Sequence, residues 1–192
     1  MLTQRSLLRE VTSQDIDNVN QARTKAYEWC DANGWVWPRE QQFLHVVEET
    51  GELVDEILVR KNSDLVDLSH EVDELWDLWF TYLTFIDNQD FVIEESEKFA
   101  IYRYVVSKTK NIDWESLEKD ILLRFITEVS RENKIQRKLS GRKDNYKYSQ
   151  LDVKKTKALS LFLLHILNKH YSVNVNYLVD TAIDKYENRD KK

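Results

Sequence analysis

The chain of 192 residues is poor in the residues that bend or break a backbone, with three glycines (Gly34, Gly51 and Gly141) and one proline, Pro38. Sheets need tight turns at short intervals, and those turns draw on glycine and proline for their unusual dihedrals. A β-rich or doubly wound fold is therefore excluded, and helices with short connections are expected. A single cysteine, Cys30, leaves no intrachain disulfide to be made. No stretch reaches the roughly 18 to 20 uncharged apolar residues needed to cross a bilayer. The first thirty residues also lack the apolar run of a secretory signal, so the expected location is the cytoplasm. There is no Gly-x-Ser-x-Gly for serine chemistry and no Glu-x-x-His for a di-iron or di-manganese carboxylate bundle, Asp67-x-x-His70 being its nearest relative.

What the chain does have is a core and an uneven charge. Hydrophobic residues make up 42% and there are six tryptophans, enough for one domain or two small packed units. The net charge of −6 argues against bulk binding to nucleic acid. From His45 to Glu97 sixteen acids face only Arg60 and Lys61, a net of −14. From Arg131 to Lys157 ten bases face Glu132, Asp144 and Asp152, a net of +7. Concentrated acid suits cations; concentrated base suits phosphate, the acidic half, or simply solvent.

Periodicity and punctuation predict an all-α bundle of about six to seven helices. The first runs from Ser13 to a stop at Asn33-Gly34, and the second from Pro38 to Lys61. Asn62-Ser63-Asp64 breaks the pattern before a third helix over Leu65 to Ile86, so the second and third form a short-turned antiparallel hairpin. A fourth helix fits Phe91 to Lys108, and a fifth follows Asn111-Ile112-Asp113 and ends near Ser140-Gly141. After a basic loop over Arg142 to Gln150 comes a sixth helix, Leu151 to Lys169, apolar on most sides as a central helix is. The last covers Val175 to Arg189. The expected division is 1–110, which carries the acidic hairpin, against 111–192, the second half packing on the first in a single compact unit. The second half either repeats the first or resembles it through helical period alone: Glu128 and Glu132 align with Glu48 and Glu52, while Val129, Lys157 and Ser160 stand opposite Glu49, Glu74 and Asp77.

The chemistry concentrates on the hairpin. Glu48, Glu49 and Glu52 stand on its first helix, and Glu74 and Asp77 on its second. Residues three apart share a helix face, so Glu49 with Glu52, and Glu74 with Asp77, form two carboxylate pairs that an antiparallel hairpin can bring together. Converging carboxylates repel unless a cation lies between them, and hard divalent ions prefer such oxygens. The alternative is an acidic helix face dispersed in solvent.

The run Val47-Glu48-Glu49-Thr50-Gly51-Glu52-Leu53-Val54-Asp55-Glu56-Ile57, followed by Asp73-Glu74-Leu75-Trp76-Asp77-Leu78-Trp79-Phe80, resembles the MazG-type, all-α nucleoside triphosphate pyrophosphohydrolases. Their signature is EExxE and, after a variable linker, ExxD; the likeness covers about forty residues, Val46 to Phe85. The resemblance implies magnesium, with manganese as the alternative, held by Glu49, Glu52, Glu74 and Asp77. It also implies cleavage of an NTP or dNTP between the α and β phosphorus atoms to monophosphate and pyrophosphate. Glu48 is the candidate base for the attacking water, or else binds a second ion or orients a basic residue. The family tends to close its site with a basic C-terminal helix, which makes Lys185 and Arg189 candidate phosphate contacts; Lys61 is a third. Each has an equally simple place as a cation at a helix C-terminus. Family members usually assemble from two identical chains, so the chain is expected either as a homodimer or as an intrachain pseudo-dimer.

Base recognition rests on Trp35 and Trp37, in the loop before the acidic helix, and on His45, one turn before Glu49. Exposed indoles stack on bases, but indoles beside a helix start also pack as staples. Trp29, Trp76, Trp79 and Trp114 are assigned to packing. The non-enzymatic alternative is a catalytically inactive nucleotide-sensing or partner-binding helical module.

Overall fold

The computed structural model describes residues 13–62, 68–86, 93–113, 116–141 and 148–189, with side chains from residue 18 onward. It is all-helical over those residues: α1 (Ser13–Ala32), α2 (Arg39–Lys61), α3 (Ser69–Phe85), α4 (Glu95–Thr109), α5 (Leu117–Leu139), α6 (Gln150–Tyr171) and α7 (Val175–Arg189). No helix among the described residues is long and apolar enough to cross a membrane.

Local chemistry sets the ends. At the close of α1, Gly34 adopts φ 71°. The Trp35 amide bonds back to Cys30 O at 2.8 Å and the Gly34 amide to Asp31 O at 3.3 Å, so a left-handed residue satisfies the last carbonyls and turns the chain. Pro38 sits one residue before α2 as its cap, and its carbonyl accepts from Gln41 at 2.8 Å and Gln42 at 3.1 Å. The fourth helix starts later than its apolar pattern indicates. Glu94 and Glu97 form a capping box there, with the Glu94 amide donating to Glu97 Oε2 at 3.0 Å, and a glutamate cap is not a usual start signal. Ser149 opens α6, its amide and hydroxyl both donating to Asp152, at 2.8 and 2.9 Å. Ser63 and Asp64 of the expected break, the helix starts at Leu65 and Phe91, the packing of Trp114 and most of the basic loop lie outside the described residues.

The hairpin of α2 and α3 is antiparallel. At one end Arg39 donates to Phe85 O at 3.1 Å and Gln42 to Thr84 O at 3.2 Å; at the other, Arg60 pairs with the buried Glu71. Leu53, Leu75, Leu78, Trp79, Tyr82 and Leu83 are fully enclosed.

The chain does not divide at residue 110. One compact unit comprises residues 1–88 with 168–192, and the other residues 89–167. The reason lies in α7, whose buried Leu178, Val179 and Ala182 give it an apolar face that packs on α1 and α3. In the second unit α5 and α6 bury Ile121, Leu122, Phe125, Val129, Leu163 and Leu164, and the apolar character of α6 has its outlet there. Tyr104 on α4 donates to Glu128 at 2.7 Å, and Lys154 to Glu97 at 2.7 Å.

In the first unit the indole N–H of the enclosed Trp79 donates to Asn168 Oδ1 at 2.6 Å. Removing only the acceptor strands a buried donor, whereas removing both partners does not. Asn168→Leu is expected to lower stability by about 1–3 kcal/mol, and Trp79→Phe added to it to cost less than the two single changes summed. Urea unfolding of the four proteins checks this.

Candidate functional site

Two helices and their flanks build one cavity of about 450 Å³ in the first unit. Gln42, His45, Glu48, Glu49 and Glu52 enter it from α2, and Phe80, Thr81 and Thr84 from α3. Trp35 and Trp37 come from the loop, Cys30 from the end of α1, and Tyr186 and Arg189 from α7. From Gln42 to Glu52 the wall runs roughly 15 Å along α2.

Beside the cavity the two helices of the hairpin bring three acids together. Glu49, Glu74 and Asp77 each offer a carboxylate oxygen, and these atoms lie within 4.8 Å of one another. Among the described residues no other group of three or more His, Cys, Asp or Glu side chains does so. Glu49 Oε2 and Glu74 Oε2 are buried without a hydrogen-bond partner. Burial first, and then Asp77, Glu52, Glu74 and Glu48, push the Glu49 carboxyl up to about 8. Glu74 is raised by burial and then by Asp77 and Glu52, with Lys185 acting against the shift. Glu52 is exposed and stands beside Glu74, outside the tight trio. Glu48 is also exposed, its Oε2 3.3 Å from His45 Nδ1.

Asp77 is the buried member, and α7 holds both its oxygens. Lys185 Nζ pairs with Oδ2, and the Tyr186 hydroxyl donates to Oδ1 at 2.8 Å. Burial disfavours the Lys185 charge, but the bond to Asp77 and the fields of Asp77, Glu74 and Asp73 carry its proton affinity above the ordinary value. Burial and then Asp77 likewise raise Tyr186.

The cavity is lined by aromatic rings as well. Trp37 lies between Trp35, stacked at 5.9 Å between centroids, and His45, stacked at 4.3 Å. Tyr186 meets Trp35 at 5.2 Å and Phe80 at 5.2 Å, and the Arg189 guanidinium sits 5.4 Å from the Trp35 ring centre and 5.5 Å from that of Tyr186. Trp29 meets the cluster edge-on, 5.1 Å from Trp35. The Cys30 thiol, pushed up to about 12 by burial, stays protonated and inert at neutral pH.

The residues singled out from sequence thus fall into three groups. Glu49, Glu74 and Asp77 converge, and of these three only Glu49 lines the cavity, together with Glu48 and Glu52; Trp35, Trp37 and His45 form one stack; Arg189 lines the wall, and Lys185 reaches the acids rather than the open cavity. Lys61 is not among the lining residues and stands nine positions beyond Glu52, roughly 13 Å further along α2. Tyr186, Gln42, Phe80, Thr81 and Thr84 were not anticipated. Thr81 and Thr84 follow Asp77 at i+4 and i+7, a spacing that places them on its face. The aligned positions in the second unit, Glu128, Val129, Glu132, Lys157 and Ser160, are all buried. Comparison with protein-family models, with curated proteins and with solved structures returned no match.

The raised Glu49 carboxyl has a thermodynamic signature. The unfolded chain releases this proton near the ordinary carboxylate value of 4.5, and the metal-free fold only near 8, so between those limits the fold binds more protons. This group's contribution to stability therefore falls as pH rises from about 4.5 to 8 and levels off above. Metal-free unfolding with urea should show a slope in that window that Glu49→Gln flattens; parallel pH profiles for the two proteins would count against carboxylate crowding.

Proposed function

We propose that the chain is a metal-dependent nucleoside triphosphate pyrophosphohydrolase, cutting between the α and β phosphates to leave a monophosphate and pyrophosphate. The observation that carries this reading is the convergence of Glu49, Glu74 and Asp77 within 4.8 Å, with one oxygen each of Glu49 and Glu74 buried and unpartnered. Orphaned carboxyl oxygens in a low-dielectric wall are costly, and a hard divalent ion is a partner that suits them. These three residues, with Glu52 alongside, would hold magnesium or manganese; when bound, such an ion neutralises phosphate oxygens and makes water more acidic.

The remaining steps belong to side chains of this chain. Glu48 faces the cavity from the turn that carries Glu49 and takes the proton of the attacking water, with His45 at 3.3 Å fixing its carboxylate. Arg189 lies at the cavity wall where it can meet a phosphate once it leaves the Trp35 face. The Trp35, Trp37 and His45 stack, which lines the same cavity as Glu48 and Glu49, offers π surface to a base. The EExxE and ExxD runs, and with them the resemblance to the MazG-type enzymes, agree with this assignment.

A panel of ribo- and deoxyribonucleoside triphosphates incubated with the protein and Mg²⁺ tests it. Pyrophosphate release is expected from at least one of them; orthophosphate alone would mean a different bond is cut, and no release would leave a binding module. Asp77→Asn and Glu52→Gln should lower kcat by at least about 100-fold, as loss of a preorganised electrostatic contact does, with the helical circular-dichroism signal unchanged. Glu48→Gln should lower it roughly 10²- to 10⁴-fold.

A further inference from the structure

Asp77 differs from its two neighbours in already having a cation. Its Oδ2 carries the Lys185 ammonium and its Oδ1 the Tyr186 hydroxyl, while Glu49 Oε2 and Glu74 Oε2 beside it have no hydrogen-bond partner. We propose that Lys185 is the resident cation of the metal-free site and competes directly with a divalent ion for Asp77. In this arrangement Tyr186 acts as a positioning residue, keeping the Asp77 carboxylate aimed at the trio while Oδ2 exchanges its partner. The inference rests on the metal-dependent reading and adds to it a specific competitor within the chain.

The geometry supports exchange over permanent pairing. An ammonium on Asp77 Oδ2 and a divalent ion among the same carboxylates would stand close enough to repel, so the lysine is favoured to move when an ion arrives. Lys185 is free to do so: its side chain is 48% exposed, whereas that of Asp77 is 8% exposed and fixed among α3 neighbours. Four methylenes let the ammonium swing into solvent, or onto a phosphate, without disturbing the packing of α7. A bare ion therefore has to displace a bonded lysine, and an ion arriving with a triphosphate offers that lysine a new anion. By linkage, the phosphate then strengthens ion binding and the ion strengthens phosphate binding by the same factor.

Titration of Mn²⁺ alone into the full chain, followed by the electron paramagnetic resonance signal of the free ion, decides the matter without turnover. Lys185→Met is expected to bind Mn²⁺ about 10-fold more tightly than the original protein, within the ordinary range of site-to-site coupling. Lys185→Arg, which retains the charge, should stay close to the original. The proposal is overturned if Lys185→Met binds no more tightly, or more weakly, since Lys185 would then support the site instead of competing for it. It is overturned equally if both variants tighten together. Manganese bound by the original protein with no gain in Lys185→Met would sink the competition and leave the metal-dependent reading standing; no Mn²⁺ bound by any of the three would sink both.

Discussion

Repulsion among Glu49, Glu74 and Asp77 is the constraint that organises the first unit. Three carboxylates within 4.8 Å would drive two isolated helices apart, and here they cannot separate. Arg39 and Gln42 fasten the start of α2 to the end of α3, Arg60 fastens its other end to Glu71, and Leu53, Leu75 and Leu78 fill the space between. Burial first, and then the neighbouring carboxylates, raise the Glu49 carboxyl to about 8, so part of the crowding is expressed as proton affinity. Ligand oxygens already drawn together are preorganised, which is what the proposed metal-dependent reading asks of the site.

One helix touches both the acids and the aromatic rings. Through Tyr186, α7 bonds Asp77 and also meets Trp35 and Phe80; through Arg189 it covers Trp35. On the opposite wall the contact runs from Trp35 to Trp37, on to His45, and then to Glu48 one turn away. Trp37 is stacked against both Trp35 and His45, so a ring of a ligand entering here would meet an aromatic cluster already packed on itself.

Much of this was legible in the sequence because it depends on local rules. Helix period, the Asn33-Gly34 stop and the scarcity of glycine and proline suffice for the all-α architecture, and three-residue spacing suffices to pair Glu74 with Asp77 on one face. What was not legible is set by tertiary packing. The division at residue 110 follows the apparent repeat of the acidic pattern in the second half, but the return of α7 to α1 and α3 depends on which apolar faces meet, and spacing does not encode that. Glu52 repeats along α2 as Glu49 does and lines the same cavity, yet it is exposed, because a shift of three residues turns a side chain by roughly 60° away from the half-buried position of Glu49. Lys185 was legible as a basic residue near the site, while its bond to an acid in place of a ligand could only come from coordinates.

A cation that serves function by leaving must be accessible, and the two units contrast on this point. Lys185 reaches Asp77 from the surface on a half-exposed stem. Lys157, which spacing aligns with Glu74, is fully enclosed in α6, and Ser160, aligned with Asp77, is enclosed as well. An ammonium locked in an interior is held by surroundings that resist its departure, and removing it would strand whatever anionic charge it offsets. Lys185 and the orphaned oxygens of Glu49 and Glu74 therefore give the first unit the features that the proposed exchange needs. At the aligned positions of the second, an enclosed lysine and serine stand in place of two of the acids, and among the described residues no second group of acids converges as Glu49, Glu74 and Asp77 do.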